Sequence, residues 1–172
     1  MELWDILTAD RQPTGRTMVR GEPMKEGDYR LVVHVCIFDS EGRMLIQHRQ
    51  PFKDGWPNMW DVSVGGSAIA GDSSKTAAER ETREELGLII DLEGIRPHFT
   101  VNFDGGFDDY YLIEREVEID SLILQPEEVQ AAKWVTCDEL LAMIDDGTFI
   151  PYHKSLIRLM FDMRKNYGDM PG

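Results

Sequence analysis

Apolar positions change spacing several times along the chain, and the changes divide it into elements. LVVHVCIF, Leu31 to Phe38, is a β-branched and aromatic run; the turn-forming DSEGR follows, then MLIQHR, so the two runs read as the arms of a hairpin. Beyond the Pro/Gly-rich PFKDGWPN, the stretch MWDVSVGG alternates as one short strand with Trp60, Val62 and Val64 on a single face and two glycines at its end. From Asp72 to Leu86 the pattern becomes helical: DSSKTAAERETREEL is rich in helix formers, Asp or Ser is available as N-cap, and Gly87 is placed to close the end in the left-handed conformation. LIIDLEGIRPHFTVNF, DYYLIEREVEI and QAAKWV read as further strands, the first two joined by a turn at DGGFD. Thr136 and Glu139 form a capping box ahead of LLAMI, and Leu156, Ile157, Met160, Phe161 and Met163 fall at helical spacing between Lys154 and Lys165.

Strands mixed with three helices, without regular alternation, predict an α+β domain with a sandwiched mixed sheet. No internal repeat or long linker divides the chain, so residues 1–172 read as one domain, with 1–26 as an N-terminal hairpin extension turning at Pro13-Thr14-Gly15. That extension reads as packing or dimer surface, and Leu3, Trp4, Ile6 and Leu7 are the residues expected to pair with a second subunit in a homodimer. An apolar fraction of 42% with four Trp, five Tyr and seven Phe supports a substantial core. Eighteen Lys and Arg against 32 Asp and Glu give 18 − 32 = −14, a balance that argues against general nucleic-acid binding. Cys36 and Cys137 form no CxxC or disulfide framework, which points to a reduced, cytoplasmic setting. The N-terminus lacks a basic stretch leading into an apolar one, and no apolar run reaches the roughly 18 residues of a membrane span.

The candidate chemistry lies in RETREELG, Arg80 to Gly87. On a helix, Glu84 lies about 60° to one side of Glu81 and Glu85 about 40° to the other, so three carboxylates share a face and repel one another. A hard divalent cation taking oxygen ligands would relieve that repulsion. An ordinary solvated face is the competing reading: Lys75 with Glu79, Glu79 with Arg83 and Arg80 with Glu84 are all i, i+4 ion pairs, and the helix by itself favours it.

The wider context reverses that preference. Gly66, Asp72, Arg80, Glu81, Glu84, Glu85, Gly87 and Leu88 match, without a gap, the box G-x5-E-x7-R-E-U-x-E-E-x-G-U, where U is bulky and apolar. By this motif the chain resembles the Nudix hydrolases. Asp72 stands where the family has Glu, one methylene shorter, and Thr82 where it has an apolar residue. The resemblance extends through Arg49 in LIQHRQ and through QPEEVQAAKWVTCDEL, and it implies an α/β/α sandwich, Mg²⁺ or Mn²⁺, and hydrolysis of a small-molecule diphosphate: a nucleoside diphosphate linked to another moiety. Carried over by position, Glu81, Glu84 and Glu85 would be metal ligands, a carbonyl around Gly65 or Gly66 would complete the set, and Arg80 would orient the carboxylates. Glu84 is the first candidate for general base and Glu128 the second. Arg49, Lys53 and His48 are candidate phosphate contacts, His48 reading more simply as a strand surface residue. Trp56, Trp60, Phe107 and Tyr110 could stack on a base but read more simply as core.

A second resemblance competes. YRLVVHVCIFDSEGRMLIQHRQPFKDGWPNMWDVSVGGSA is similar to isopentenyl diphosphate isomerases, which share the fold and move a double bond. Those enzymes carry a catalytic cysteine at the position of Gly65 and metal-binding histidines at those of Ser67 and Arg30. Glycine cannot move a proton and neither replacement offers a neutral imidazole, so hydrolysis is expected on an isomerase-like scaffold. A nucleotide-binding module without turnover is the remaining reading, and it leaves three aligned carboxylates without a purpose.

Overall fold

The computed structural model describes residues 1–172. Strands β1 (Leu3–Leu7) and β2 (Pro13–Val19) form an antiparallel hairpin with Trp4 opposite Met18. Its turn spans Thr8 to Gln12, closed by Thr8 N–H on the Gln12 carbonyl and Arg11 N–H on the Thr8 carbonyl. Pro13, Thr14 and Gly15, expected at the turn, instead begin β2. Arg11 takes the left-handed position at φ 62°, and its guanidinium reaches across to the buried Asp109. The hairpin is also tied to the loop before the first helix, where Ala70 N–H donates to the Leu3 carbonyl and Gly71 N–H to the Asp5 carboxylate, both at 2.8 Å. Trp4 and Ile6 are buried within the chain at 9% and 2% exposure. Two of the four residues expected to face a second subunit are therefore spent internally, while Leu3 stays 36% exposed.

The main sheet is mixed and seven-stranded: β3 (Arg30–Phe38), β4 (Met44–Arg49), β5 (Trp60–Asp61), β6 (Val64–Ser67), β7 (Phe99–Phe103), β8 (Gly106–Glu114) and β9 (Val129–Val135). At its centre β3 runs parallel to β8 and antiparallel to β6. The expected hairpin of β3 and β4 closes at only one pair, Phe38 with Met44, and then splays. The segment 60–67 enters between the arms, pairing first with β4 as β5 and then with β3 as β6. Ser63 sits at the crossing: its hydroxyl accepts from Ile37 N–H at 2.9 Å and donates to the Leu45 carbonyl, while its own carbonyl accepts from the Gln47 amide at 2.9 Å. This crossing corrects the sequence reading of one continuous strand, because it sends Val62 into the core on one side of the sheet and Val64 into the core on the other.

Helix α1 (Ser74–Leu86) covers one face, where Ala77, Ala78 and Leu86 pack on Val33, Val35 and Ile37. Helices α2 (Cys137–Asp145) and α3 (Lys154–Met163) cover the other, where Leu140, Ile157, Met160 and Phe161 pack on Cys36, Phe38 and Leu112. The result is the expected α/β/α sandwich. Residues 88–98, read as strand, form a loop. Leu92 is buried at 1% exposure, but its N–H is taken by the Glu79 carboxylate at 2.9 Å rather than by a neighbouring strand. β8 likewise ends at Glu114, short of the strand read to Ile119. No helix is long and apolar enough to cross a membrane.

Candidate active site

The N-cap of α1 is Ser73, whose hydroxyl accepts from Thr76 N–H while Thr76 Oγ1 accepts from Ser73 N–H, a capping box made by Ser and Thr. Asp72 thus lies one residue outside the helix, free to turn its carboxylate back along the first two turns. It accepts from Arg80 Nη2 at 2.8 Å and Nε at 3.2 Å. The same guanidinium donates to the Ser67 carbonyl at 3.1 Å, to Glu81 at 3.0 Å and to Glu84 at 3.2 Å. Arg80 therefore fastens the glycine strand, the residue before the helix and two of the three face carboxylates together. The shorter side chain of Asp72 reaches it without difficulty. Burial opposes the charge on Arg80, but its hydrogen bonds to Asp72 and the charge of Glu81 outweigh it and hold the proton more tightly than usual.

Of the ion pairs that supported an ordinary solvated helix, only Arg80 with Glu84 forms. Lys75 pairs with Glu93 at 2.5 Å, and Glu79 caps Leu92. Thr82 is fully buried, and its hydroxyl donates to the Ala78 carbonyl at 2.7 Å, so the helix itself satisfies the one polar atom that departs from the family pattern.

Glu81 and Glu85 lie on the inner side of the face. Glu81 is pushed up to about 7, by burial first, with Arg80 pulling the other way. Glu85, 5% exposed, is raised well above the ordinary carboxylate range by burial and by Glu81; its side-chain partner is a neutral amide, Gln47 Nε2 at 2.5 Å. The two form an electrostatic deficit that a cation would relieve. Gly66 makes room for it: a Cβ there would stand 2.3 Å from the Glu81 carboxyl carbon. At the helix end Gly87 has φ 69°, and Gln125 N–H donates to the Glu85 carbonyl at 3.0 Å, anchoring the late loop against the last turn.

These parts enclose a cleft of about 190 Å³ with no apolar side chain in its wall, lined by Gly65, Gly66, Ser67, Arg80 and the carboxylates of Glu81, Glu84, Glu85 and Glu128. Every anionic donor is oxygen, the set a hard divalent ion takes. No three acidic side chains yet converge into a ready-made cage, since Arg80 draws Glu81 and Glu84 while Gln47 draws Glu85.

The other candidates are placed as follows. Glu128 lines the cleft and is paired with Lys53 at 2.5 Å. Arg49 does not line it; its guanidinium donates to the Gly55 carbonyl at 2.8 Å and to that of Trp56 at 3.2 Å, holding the loop before β5. His48 stacks on Trp60 at 4.6 Å, and Phe107 and Tyr110 are buried in the sheet. Trp56 is 52% exposed at φ 51°. Sequence reasoning missed Gln47, Gln125, Glu2 and Arg20. The last two come from the N-terminal hairpin, read as packing surface, yet both line the cleft. No local signal marks them, because only the docking of the hairpin brings them there. At the isomerase positions, Arg30 donates to the Ser67 hydroxyl at 2.6 Å, and a side chain at Gly65 would meet the His34 ring at 2.7 Å.

The chain is similar to known proteins over most of its length. A family profile described as NUDIX domain matches residues 28–158. An uncharacterized Nudix hydrolase of Listeria monocytogenes is 52% identical over 152 residues, covering 88% of this chain and 90% of its own. An isopentenyl-diphosphate Delta-isomerase of Salmonella arizonae is 31% identical over 144 residues, 79% of this chain and 78% of its own. Among solved structures, a Deinococcus radiodurans protein superimposes with a TM-score of 0.75 at 26% identity, covering 92% of this chain and 99% of that one. Motif, sandwich and profile coincide on the same residues, and the chain belongs to the Nudix hydrolase family.

Proposed function

We propose that this enzyme hydrolyses a P–O–P bond in a nucleoside diphosphate linked to another moiety, using Mg²⁺ or Mn²⁺ held by Glu81, Glu84 and Glu85 with a carbonyl of the Gly65-Gly66 strand. The observation that carries the reading is the deeply buried Glu85 beside Glu81, with only a neutral amide as its side-chain partner, in an all-oxygen cleft. When bound, the divalent ion supplies positive charge between these carboxylates and the diphosphate and lowers the pKa of a water molecule. The chain's own groups do the rest. Arg80 fixes the rotamers of Glu81 and Glu84 by hydrogen bonds to both. Glu84, with 43% of its side chain exposed, is the first choice to take the proton from the attacking water, and Glu128, from the late loop lining the same cleft, is the second. Lys53 positions Glu128 and can turn to a phosphate oxygen when that pair opens; Arg49 acts through the loop whose carbonyls it holds.

Double-bond migration is disfavoured by the same geometry. Arg30 and Ser67 bond to each other where the isomerase relatives would place imidazoles, and Gly65 has no room for a thiol unless His34 moves. A panel of nucleoside diphosphate derivatives scored for phosphate-containing products tests the proposal. Metal-dependent release, lost in Glu84→Gln and Glu85→Gln, is the expected result. Isopentenyl diphosphate converted to its isomer, with no release from the panel, would overturn it.

A further inference from the structure

The carboxylate wall accounts for one side of a bound diphosphate, and the structure holds an unassigned cationic counterpart on the hairpin side. Arg20 follows β2, lines the cleft, and is restrained by contacts of 3.2 and 3.3 Å to Glu2, with 57% of its side chain exposed. Such a solvated pair is weak and exchanges readily for a stronger anion. Arg30, at the start of β3, differs in kind. Its guanidinium lies over the Trp4 ring at 4.4 Å and near the Phe103 ring at 5.4 Å, it donates to Ser67 at 2.6 Å, and it makes no ion pair. A guanidinium has five N–H donors, and one bond to a neutral hydroxyl leaves most of them unused. Burial lowers its proton affinity and Arg20 adds repulsion, which the Asp108 carboxylate offsets only in part. In a chain of net charge −14 these two guanidiniums make a cationic patch at the edge of the cleft, with Arg30 joined to the lining through Ser67 and held by aromatic packing.

We infer that Arg20 and Arg30, delivered by the N-terminal hairpin and the start of β3, form an anion subsite for the phosphoryl group of the diphosphate that lies away from α1. This rests on the hydrolase reading for the identity of the substrate and goes beyond it in assigning the hairpin a binding role. Ser67 links the halves: its hydroxyl accepts from Arg30, and its carbonyl accepts from Arg80. Planar forks suit phosphate oxygens better than a point charge does, so Arg30→Lys should be only a partial replacement.

The test is calorimetric titration of the full chain with imidodiphosphate and Mg²⁺, comparing the parent with Arg20→Gln, Arg30→Gln and Arg30→Lys. About tenfold weaker binding in Arg30→Gln, a smaller loss in Arg20→Gln and partial recovery in Arg30→Lys are expected, with KM for a hydrolysed substrate rising more than kcat falls. Affinity within about twofold of the parent in both glutamine variants, at unchanged Tm, would overturn the subsite, as would failure of the parent to bind imidodiphosphate. Should Arg30→Gln fold poorly, the exposed Arg20→Gln decides. Loss of the hydrolase reading is distinguishable: the parent would then release no phosphate from any substrate while its imidodiphosphate affinity still depended on the two arginines.

Discussion

The two walls of the cleft are built by different means. On the α1 wall Asp72, Arg80, Glu81, Glu84 and Glu85 come from fourteen consecutive residues, and helical spacing alone puts the glutamates on one face. The second wall gathers Arg20, Gln125 and Glu128 from separate segments that meet only because the hairpin docks on the loop at Ala70 and the late loop docks on the end of α1, and Arg30, outside the lining, reaches it through its bond to Ser67. The first wall is fixed by local geometry and can be damaged by a single substitution within it. The second is fixed by tertiary contacts between segments far apart in the chain. On the proposed reading the metal-binding carboxylates fall on the local wall, while the assembled one supplies Glu128 as the second candidate base and Arg20 as a phosphate contact.

The largest effect should come from Arg80→Ala, which leaves Asp72, Glu81 and Glu84 without their shared partner. Removing one member of a buried ion network costs about 3–5 kcal/mol, and a large fall in Tm together with loss of turnover is expected. An unchanged Tm would mean that the α1 wall is not held by Arg80. Next comes pH. Glu81 sits at about 7 in the fold and near 4.5 unfolded, so the native state holds this proton more tightly. Its favourable contribution is full below about 4.5 and is lost as pH rises through about 7, an upper bound of about 3 kcal/mol. Denaturant titrations without divalent metal should show that decline, Glu81→Gln should flatten it, and Mg²⁺ should stabilise more at pH 8 than at pH 5. Gly66→Ala is expected to cost about a hundredfold in kcat/KM by displacing Glu81, with a much smaller change in Tm. Thr82→Val marks the lower end: the hydroxyl serves only its own helix, so stability should move by no more than about 1 kcal/mol and kinetics not at all.

What the sequence disclosed follows the same division. The span of α1, its stop at Gly87, the capping box of Thr136 and Glu139, and the apolar face of α3 all depend on neighbours within a turn, and each is found where its residues place it. The splay of β3 from β4 depends on Ser63 bonding to both arms, and the non-strand path of 88–98 on Glu79 capping Leu92; neither leaves a periodic trace. The hairpin turn moved because Arg11 adopts a left-handed conformation and pairs with Asp109, nearly a hundred residues away in the chain. Charge and residue type suggested Arg49 as a phosphate contact, but two backbone carbonyls of its own loop hold the guanidinium. Arg20, in a segment read as packing surface, reaches the cleft instead.

The central claim is that the carboxylate face of α1 hydrolyses a P–O–P bond. It is tested most directly by single-turnover phosphate release from a nucleoside diphosphate derivative with Mg²⁺, comparing the parent with Glu85→Gln, whose neutral side chain can still meet Gln47. The account predicts a loss on the order of 10²–10⁴-fold with the fold intact. Release from Glu85→Gln at the parental rate would contradict it.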